Sequence, residues 1–556
     1  MKRRLLAALA TGVPLITAAV YLPTASAQPS RGPASVSTPV TCSPQSVQAP
    51  AGTKVEKTTA VRHEAGTVDV PEVWPLPADH VDDVPAFCDV TITLTHPGAG
   101  DHAKVRVWLP LRGWNGRLQT IGGSAYAAGD YGKGLANAVK NGYAAATTDA
   151  GVSTYVDTSW ALNSDGQVNA ALLKNFASRS EHEAAVIAKE VIGSFYGRPA
   201  SYAYFNGCST GGRQGYAEAQ RHPDDYDGIL ANAPAVNWDE FEVATLWPQV
   251  VMNQEKTYPT PCELDAFTNA AVKTCDPLDG AEDGLVDAPE RCGFDPRSLI
   301  GTKVLCAGRE LTITAADAVV VHKIWDGPRT PSGKKLWSGV PVGAALSGLA
   351  GTTPPDADGN VKGAPFPVPA AWIATWLKKQ PSFDVSSITY SQFTQLFKQS
   401  EAEYDRVIGT DDPDLTAFRD SGGKLLTWHG QADEYIPTQG TVEYRKQVER
   451  TMGGAKKVDD FYRLFLAPGT PHCGLNNGSG ATVDDLGALR NWVEHGKVPR
   501  TLPATLRNAS GEQITRNLCS YPQVSRYDGL DDGQGATTAT ATATAAGFRC
   551  ALPTHH

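Results

Sequence analysis

Gly207-Cys208-Ser209-Thr210-Gly211 fits the pattern G-x-S-x-G, set between the apolar run 201–205 and a helical stretch over 212–221. A serine on such a strand-to-helix turn is lifted off the end of a sheet, and the helix N-terminus behind it offers N–H groups to an oxyanion. The serine needs a base, and the base needs an orienting carboxylate, in the chain order Ser, then Asp or Glu, then His. Asp433 closes His429-Gly-Gln-Ala-Asp433 after the apolar run 424–428, and His472 lies in Pro468-Gly-Thr-Pro-His-Cys473 after the run 461–466. Both therefore sit in loops at strand C-terminal ends, the edge where catalytic groups gather in open α/β sheets. Among the twelve histidines, His429 reads as support for the Asp433 loop and His182, in a helical stretch, as structural. Ser209, Asp433 and His472 are the candidate nucleophile, orienting acid and base.

The cysteines bear on the same three residues. Cys208 adjoins the serine and Cys473 the histidine, so the two approach if the triad forms. A disulfide there would tether the histidine loop to the nucleophile turn; the alternatives are two separate buried thiols or a catalytic cysteine. The compartment favours the disulfide. Lys2-Arg3-Arg4, an apolar run over 5–22 and Ala25-Ser26-Ala27 have the layout of a secretory signal peptide, with an uncleaved membrane anchor as the alternative. No later stretch approaches about 20 continuous apolar residues, so the mature chain is expected to be secreted and free of the membrane, with its cysteines paired.

The elements that must position these residues follow from the wider pattern. The 556 residues are 41% hydrophobic and 19% charged, with a formal net charge of −10. That supports a large core, excludes wholesale disorder and, lacking a long basic block, argues against a nucleic-acid partner. Strand-like runs at 90–94, 104–109, 117–121 and 143–148 precede a helical stretch at 181–195, and the rhythm resumes at 424. Strands alternating with helical patterns give an α/β fold with a mostly parallel sheet. Residues 239–410 break the rhythm, being rich in Pro, Gly and Asp, and read as an insertion. The expected organisation is a signal peptide over 1–27, one catalytic domain formed by 28–238 and 411–556, and a lid domain over 239–410. Residues 536–546 are almost pure Ala and Thr, a low-complexity loop.

Taken together, Gly207-Cys-Ser-Thr-Gly-Gly-Arg-Gln-Gly215, Ala219-Gln-Arg-His-Pro-Asp-Asp-Tyr-Asp-Gly228, Gly422-Gly-Lys-Leu-Leu426 and the two loops holding Asp433 and His472 resemble the tannase and feruloyl esterase family of α/β-hydrolases. The resemblance covers most of the mature chain. It implies an α/β-hydrolase fold with a large inserted lid domain, the triad Ser209, Asp433 and His472, and a Cys208–Cys473 bridge. It also implies a second oxyanion donor from a glycine-rich segment after an early strand. Here that segment is Ile121-Gly-Gly-Ser-Ala125, with fewer glycines than many relatives show, and Gly123 with Thr210 are the expected pair of N–H donors.

Inside the insertion, Asp276, Asp279 and Asp283 recur at spacings of three and four, with glycines after two of them. A tight loop of this kind can aim oxygens at one centre and suits calcium, which takes six to eight oxygen ligands; the alternative is an acidic Asx-turn loop. The spacing is not that of an EF-hand. The resemblance implies calcium, held by the side chains of Asp276, Asp279 and Asp283 and the carbonyls of Ala281 and Leu285. The ion is expected to be structural, stabilising a lid with little core of its own. Cys275 and Cys292 bracket the loop and are expected to pair; the resemblance adds Cys42–Cys88 and Cys519–Cys550, which leaves Cys262 with Cys306.

The expected activity is that of a secreted serine carboxylic ester hydrolase acting, through an acyl-enzyme, on small esters of aromatic acids, free or borne on a plant polymer, without an organic cofactor. Gallate, ferulate and terephthalate monoesters stay open. Phe366, Trp372, Trp376 and Phe383 could line the acid pocket, although aromatics in a domain of this size more often fill the core. The competing expectations are a serine peptidase of the same fold and a calcium-stabilised, non-catalytic binding protein.

Overall fold

The computed structural model describes residues 41–527 and 547–553, apart from 74–75, 153–154, 355 and 357–359. The expected signal segment 1–27 and the Ala/Thr tract 536–546 lie outside the described residues. The frame is a ten-stranded sheet. Its main strands are β1 (Lys54–His63), β2 (Phe87–Thr95), β3 (Ala103–Pro110), β4 (Arg117–Ser124), β5 (Ala144–Thr148), β6 (Tyr202–Cys208), β7 (Gly228–Asn232), β8 (Lys424–Gly430) and β9 (Tyr462–Ala467). They lie in the order β1-β2-β3-β5-β4-β6-β7-β8-β9, and the short strand Ala127–Gly129 pairs with β4. Pairing is antiparallel from β1 to β5 and parallel from β5 to β9.

The parallel half is covered on both faces, which is why β5 and β7 are buried along their whole length and read as continuous apolar or small runs. One face packs against α1 (Lys133–Lys140), whose Leu135 and Val139 meet Tyr204, Leu426 and Phe465. The other packs against α2 (Ser180–Tyr196) and α3 (Thr210–Arg221), where Ala188, Ile192 and Tyr216 meet Phe205 and Ile229.

Between β7 and β8 the chain leaves the sheet and builds α4 (Trp238–Thr245), α5 (Trp247–Glu255), α6 (Pro261–Cys275), α7 (Ala315–Asp326) and α8 (Tyr390–Ile408). The reading of this stretch as irregular with little core is corrected here: Val250, Phe267, Ile324, Trp372, Trp376 and Phe393 belong to one large buried cluster. High Pro and Gly content masked helices whose starts are nonetheless encoded. Reciprocal capping boxes at Thr260/Glu263, Thr314/Asp317 and Thr389/Gln392 open α6, α7 and α8. Helix α4 runs across the 238/239 boundary read from composition.

All ten cysteines are paired, as Cys42–Cys88, Cys208–Cys473, Cys262–Cys306, Cys275–Cys292 and Cys519–Cys550. Among the described residues no helix is long and apolar enough to cross a membrane.

Candidate active site

Ser209 stands between β6 and α3 at φ 65° and ψ −124°, a backbone state that a non-glycine residue holds only where its surroundings impose it. The flanking glycines let the turn close: a Cβ on Gly207 would lie 2.5 Å from the Gly211 backbone. The Ser209 backbone is anchored by its N–H to the Asn232 carbonyl (3.1 Å) and by its own carbonyl, which accepts from Arg213 N–H (3.0 Å).

Asp433 lies past the end of β8 and is fully buried. Its Oδ2 accepts from His472 Nδ1 at 2.7 Å, and its Oδ1 accepts the N–H groups of Tyr435 (3.0 Å) and Ile436 (2.8 Å). His429 Nε2 faces two acceptors, Asp433 Oδ2 and the Ile436 carbonyl, both at 3.1 Å. That arrangement places its proton on Nε2 and leaves Nδ1 to accept from the Thr441 hydroxyl at 2.8 Å. Burial opposes ionisation of Asp433, yet the His472 and His429 rings hold its carboxyl well below the usual carboxylate range. Burial likewise works against a charged His472, and the Asp433 carboxylate outweighs it, so His472 titrates above its ordinary value.

With Nδ1 committed to Asp433, His472 keeps Nε2 as the basic nitrogen, 3.6 Å from Cys473 Sγ. The Cys208–Cys473 bridge ties the His472 loop to the residue before Ser209, and the His472 N–H donates to Glu434 Oε2 at 3.0 Å. Ser209, Thr210 and His472 line one cavity of about 120 Å³ together with Ala125, Tyr155, Trp238, Phe241, Glu242, Phe366 and Tyr435. Of the aromatics considered for a pocket, Phe366 lines this cavity. Trp372 and Trp376 are instead sealed in the core of the inserted segment, and Phe383 packs half-buried on its edge.

The expectation for the oxyanion donors is corrected at one position. The Gly123 N–H is already given to the buried Gln214 Oε1 at 2.8 Å, so it is not free for a substrate oxygen. Ala125 takes the place in the cavity wall, on a turn at φ 49°, and its carbonyl accepts from the Thr210 hydroxyl at 2.6 Å. That hydrogen bond fixes the Ala125 turn against the first residue of α3, whose N–H has no partner within its own helix. His182, read from sequence as structural, has its Nδ1 2.6 Å from Asp225 Oδ2.

The acidic loop follows α6. Asp276 accepts the N–H groups of Asp283 (3.2 Å) and Gly284 (2.9 Å), while Asp279, Asp283 and Asp287 converge on the buried guanidinium of Arg516. Arg516 comes from the strand Gln513–Cys519, whose buried positions alternate. An arginine on an inward face was the signal that could have found it. Nor does the loop serve the inserted segment alone. The Asp287 carbonyl accepts from Gln431 at 2.7 Å, and a Cβ on Gly469 would lie 2.4 Å from Leu285 Cδ2, so the loop braces the segments carrying Asp433 and His472.

A strained serine at a strand-to-helix turn, with a buried acid and a histidine from the loops after β8 and β9, is an arrangement of the α/β-hydrolase class. Residues 88–542 match the family described as tannase and feruloyl esterase, and the chain belongs to that family. It is 50% identical over 451 residues to a probable feruloyl esterase of Arthroderma benhamiae, covering 80% of this chain and 84% of that protein. It is 29% identical to the mono(2-hydroxyethyl) terephthalate hydrolase of Piscinibacter sakaiensis, covering 84% of this chain and 85% of that protein. Among solved structures, tannin acyl hydrolase from Aspergillus niger superposes with a TM-score of 0.79 at 27% identity, covering 90% of this chain and 92% of that one. The protein is a carboxylic ester hydrolase.

Proposed function

We propose that the protein is a secreted serine esterase that cleaves esters of aromatic, phenolic acids through an acyl-enzyme on Ser209. The observation that carries this reading is the 2.7 Å Asp433–His472 pair, whose histidine shares with Ser209 a cavity lined in part by Tyr155, Trp238, Phe241, Phe366 and Tyr435. His472 Nε2 takes the Ser209 proton as Oγ attacks the ester carbonyl. The N–H groups of Thr210 and Ala125 hold the oxyanion, one at the start of α3 and one on the turn that the Thr210 hydroxyl pins. His472 then gives its proton to the departing alcohol. In the second half-reaction it takes a proton from water, which attacks the acyl carbonyl and releases the acid and Ser209. The names of the relatives, feruloyl esterase, tannin acyl hydrolase and terephthalate monoester hydrolase, support an aromatic acid in the acyl position. Five disulfides and the signal-like N-terminal residues support export.

A structural calcium ion at the acidic loop is part of the same reading. Asp276, Asp279, Asp283 and Asp287 are four buried carboxylates, the last three of them facing the single guanidinium of Arg516, and Asp287 Oδ2 has no hydrogen-bond partner. Burial pushes the Asp276 carboxyl up to about 6. This excess of hard oxygen donors over positive charge fits a divalent cation held by Asp276, Asp279 and Asp283 with the Ala281 and Leu285 carbonyls. The ion would supply charge balance to the loop and takes no part in the reaction.

The test is turnover of methyl ferulate, methyl gallate and a terephthalate monoester, each beside its amide. Ester cleavage that disappears in Ser209→Ala is expected; cleavage of the amides in preference to the esters would overturn the reading.

A further inference from the structure

Helix α4 turns one face to the catalytic cavity. Trp238, Phe241, Glu242 and Thr245, at the i, i+3, i+4 and i+7 spacing of a single helical stripe, all line it beside Ser209 and His472. Two of the four carry polar atoms that the protein leaves unanswered. Glu242 is 2% exposed and its Oε2 has no hydrogen-bond partner; Trp238 is 1% exposed and its indole Nε1 has none either. Buried polar groups are nearly always paired, so an unpartnered donor and an unpartnered acceptor one helical turn apart, in the wall of a substrate cavity, point to a ligand that pairs with them. Away from Ser209, Thr210, Thr245 and His472 the rest of the wall is apolar or aromatic, including Phe241, Phe366, Val368 and Ile436, and the cavity's roughly 120 Å³ is near the size that holds a benzene ring.

We propose that Glu242, with the Trp238 indole N–H, reads a ring hydroxyl on the acid half of the ester, so that this pocket selects hydroxylated aromatic acids over their unsubstituted counterparts and over acids bearing a second carboxylate. The assignment rests on the esterase reading of the same cavity. A phenolic hydroxyl both donates and accepts, which matches a carboxyl group beside an N–H. An unsubstituted ring would leave both groups buried and unpaired, the situation in which a site rejects the lesser substrate most strongly. A second carboxylate would be driven into a low-dielectric wall beside an acidic group. Burial raises the Glu242 carboxyl well above its ordinary range, with the Arg213 guanidinium opposing that rise. That rise favours the protonated carboxyl, the form that donates as well as accepts. Arg213 spends its Nη1 and Nη2 on the Ala177 and Phe176 carbonyls at 2.6 and 3.0 Å, while its Nε has no hydrogen-bond partner.

The test is a ratio measured within each protein: kcat/KM for methyl 4-hydroxycinnamate over methyl cinnamate, with monomethyl terephthalate as a third ester. The wild type is expected to favour the hydroxylated ester by about tenfold or more, and Glu242→Leu to bring the ratio below about threefold. Trp238→Phe keeps the ring and removes only the N–H, and is expected to narrow the ratio by a smaller factor; it decides the matter if the leucine variant does not fold. Glu242→Gln, which still donates and accepts, should retain part of the hydroxyl preference while gaining relative activity on monomethyl terephthalate. A wild type that cleaves methyl cinnamate as well as its hydroxylated counterpart, or a ratio unchanged in both the leucine and phenylalanine variants, overturns the assignment. A wild type that cleaves none of the three esters overturns the esterase reading itself, and the assignment falls with it.

Discussion

Two buried carboxylates serve the same site, Glu242 in the cavity wall and Asp433 behind His472, and their surroundings give them opposite characters. Asp433 is cradled by two imidazoles and two backbone N–H groups and stays ionised. Glu242 has an oxygen with no partner, and burial raises its carboxyl well above the ordinary range. Burial penalises the charge on both, so it is the supply of donors that separates them. A carboxylate that must orient a base and steady its positive charge is given every donor the fold can bring. One that meets substrate is left with capacity unspent.

The comparison breaks first at the nucleophile end. Ser209→Ala should lower kcat for aromatic esters by about 10⁴-fold or more while the thermal transition stays near that of the wild type. Asp433→Asn keeps the size of the side chain and loses the charge that sets the His472 tautomer; a fall in kcat of about 10⁴-fold is expected in steady-state assays. The same pair makes a pH statement. Only neutral His472 can act as base, and Asp433 raises its titration above the ordinary 6.5, so the acid limb of kcat/KM for the wild type should have its midpoint above 6.5. Asp433→Asn should move that midpoint to lower pH, because the carboxylate that favours the protonated ring is gone.

Smaller effects sharpen the contrast between groups that are pinned and groups that are not. Breaking the Cys208–Cys473 bridge with a Cys208→Ser, Cys473→Ser double variant should cost about 2–5 kcal/mol, read by denaturant unfolding. It should lower kcat more than it raises KM, since it frees the His472 loop rather than the acid pocket. Chelation is expected to lower the melting temperature and, because the acidic loop braces the segments carrying Asp433 and His472, to reduce kcat as well. Unchanged melting and unchanged kcat after exhaustive chelation would remove calcium from the account.

What could be read from sequence was whatever local pattern dictates. The apolar runs that became β6, β8 and β9 each end in a loop carrying one triad member, because parallel strands of one sheet expose their C-terminal ends along one edge. Cys208 and Cys473 were informative for the same reason, as neighbours of residues that had to meet. The rest depended on side chains reaching across the fold. Gln214 captures the Gly123 N–H from 91 residues away, and Arg516 enters the acidic loop from 233 residues beyond Asp283. Neither has a spacing to recognise. Glu242 was hidden otherwise: composition made 239–410 look irregular, although the stripe Trp238, Phe241, Glu242, Thr245 has helical spacing once α4 is known to be a helix.

The central claim is that Ser209 is the nucleophile activated by His472 and Asp433. Its most direct test is treatment of the protein with a fluorophosphonate ester, followed by peptide mass spectrometry and residual activity on methyl ferulate. The account requires one phosphonyl adduct on the peptide carrying Ser209, formed in step with the loss of activity and much slower in Asp433→Asn. Ester hydrolysis that persists with Ser209 fully labelled, or that is lost with Ser209 unmodified, would contradict it.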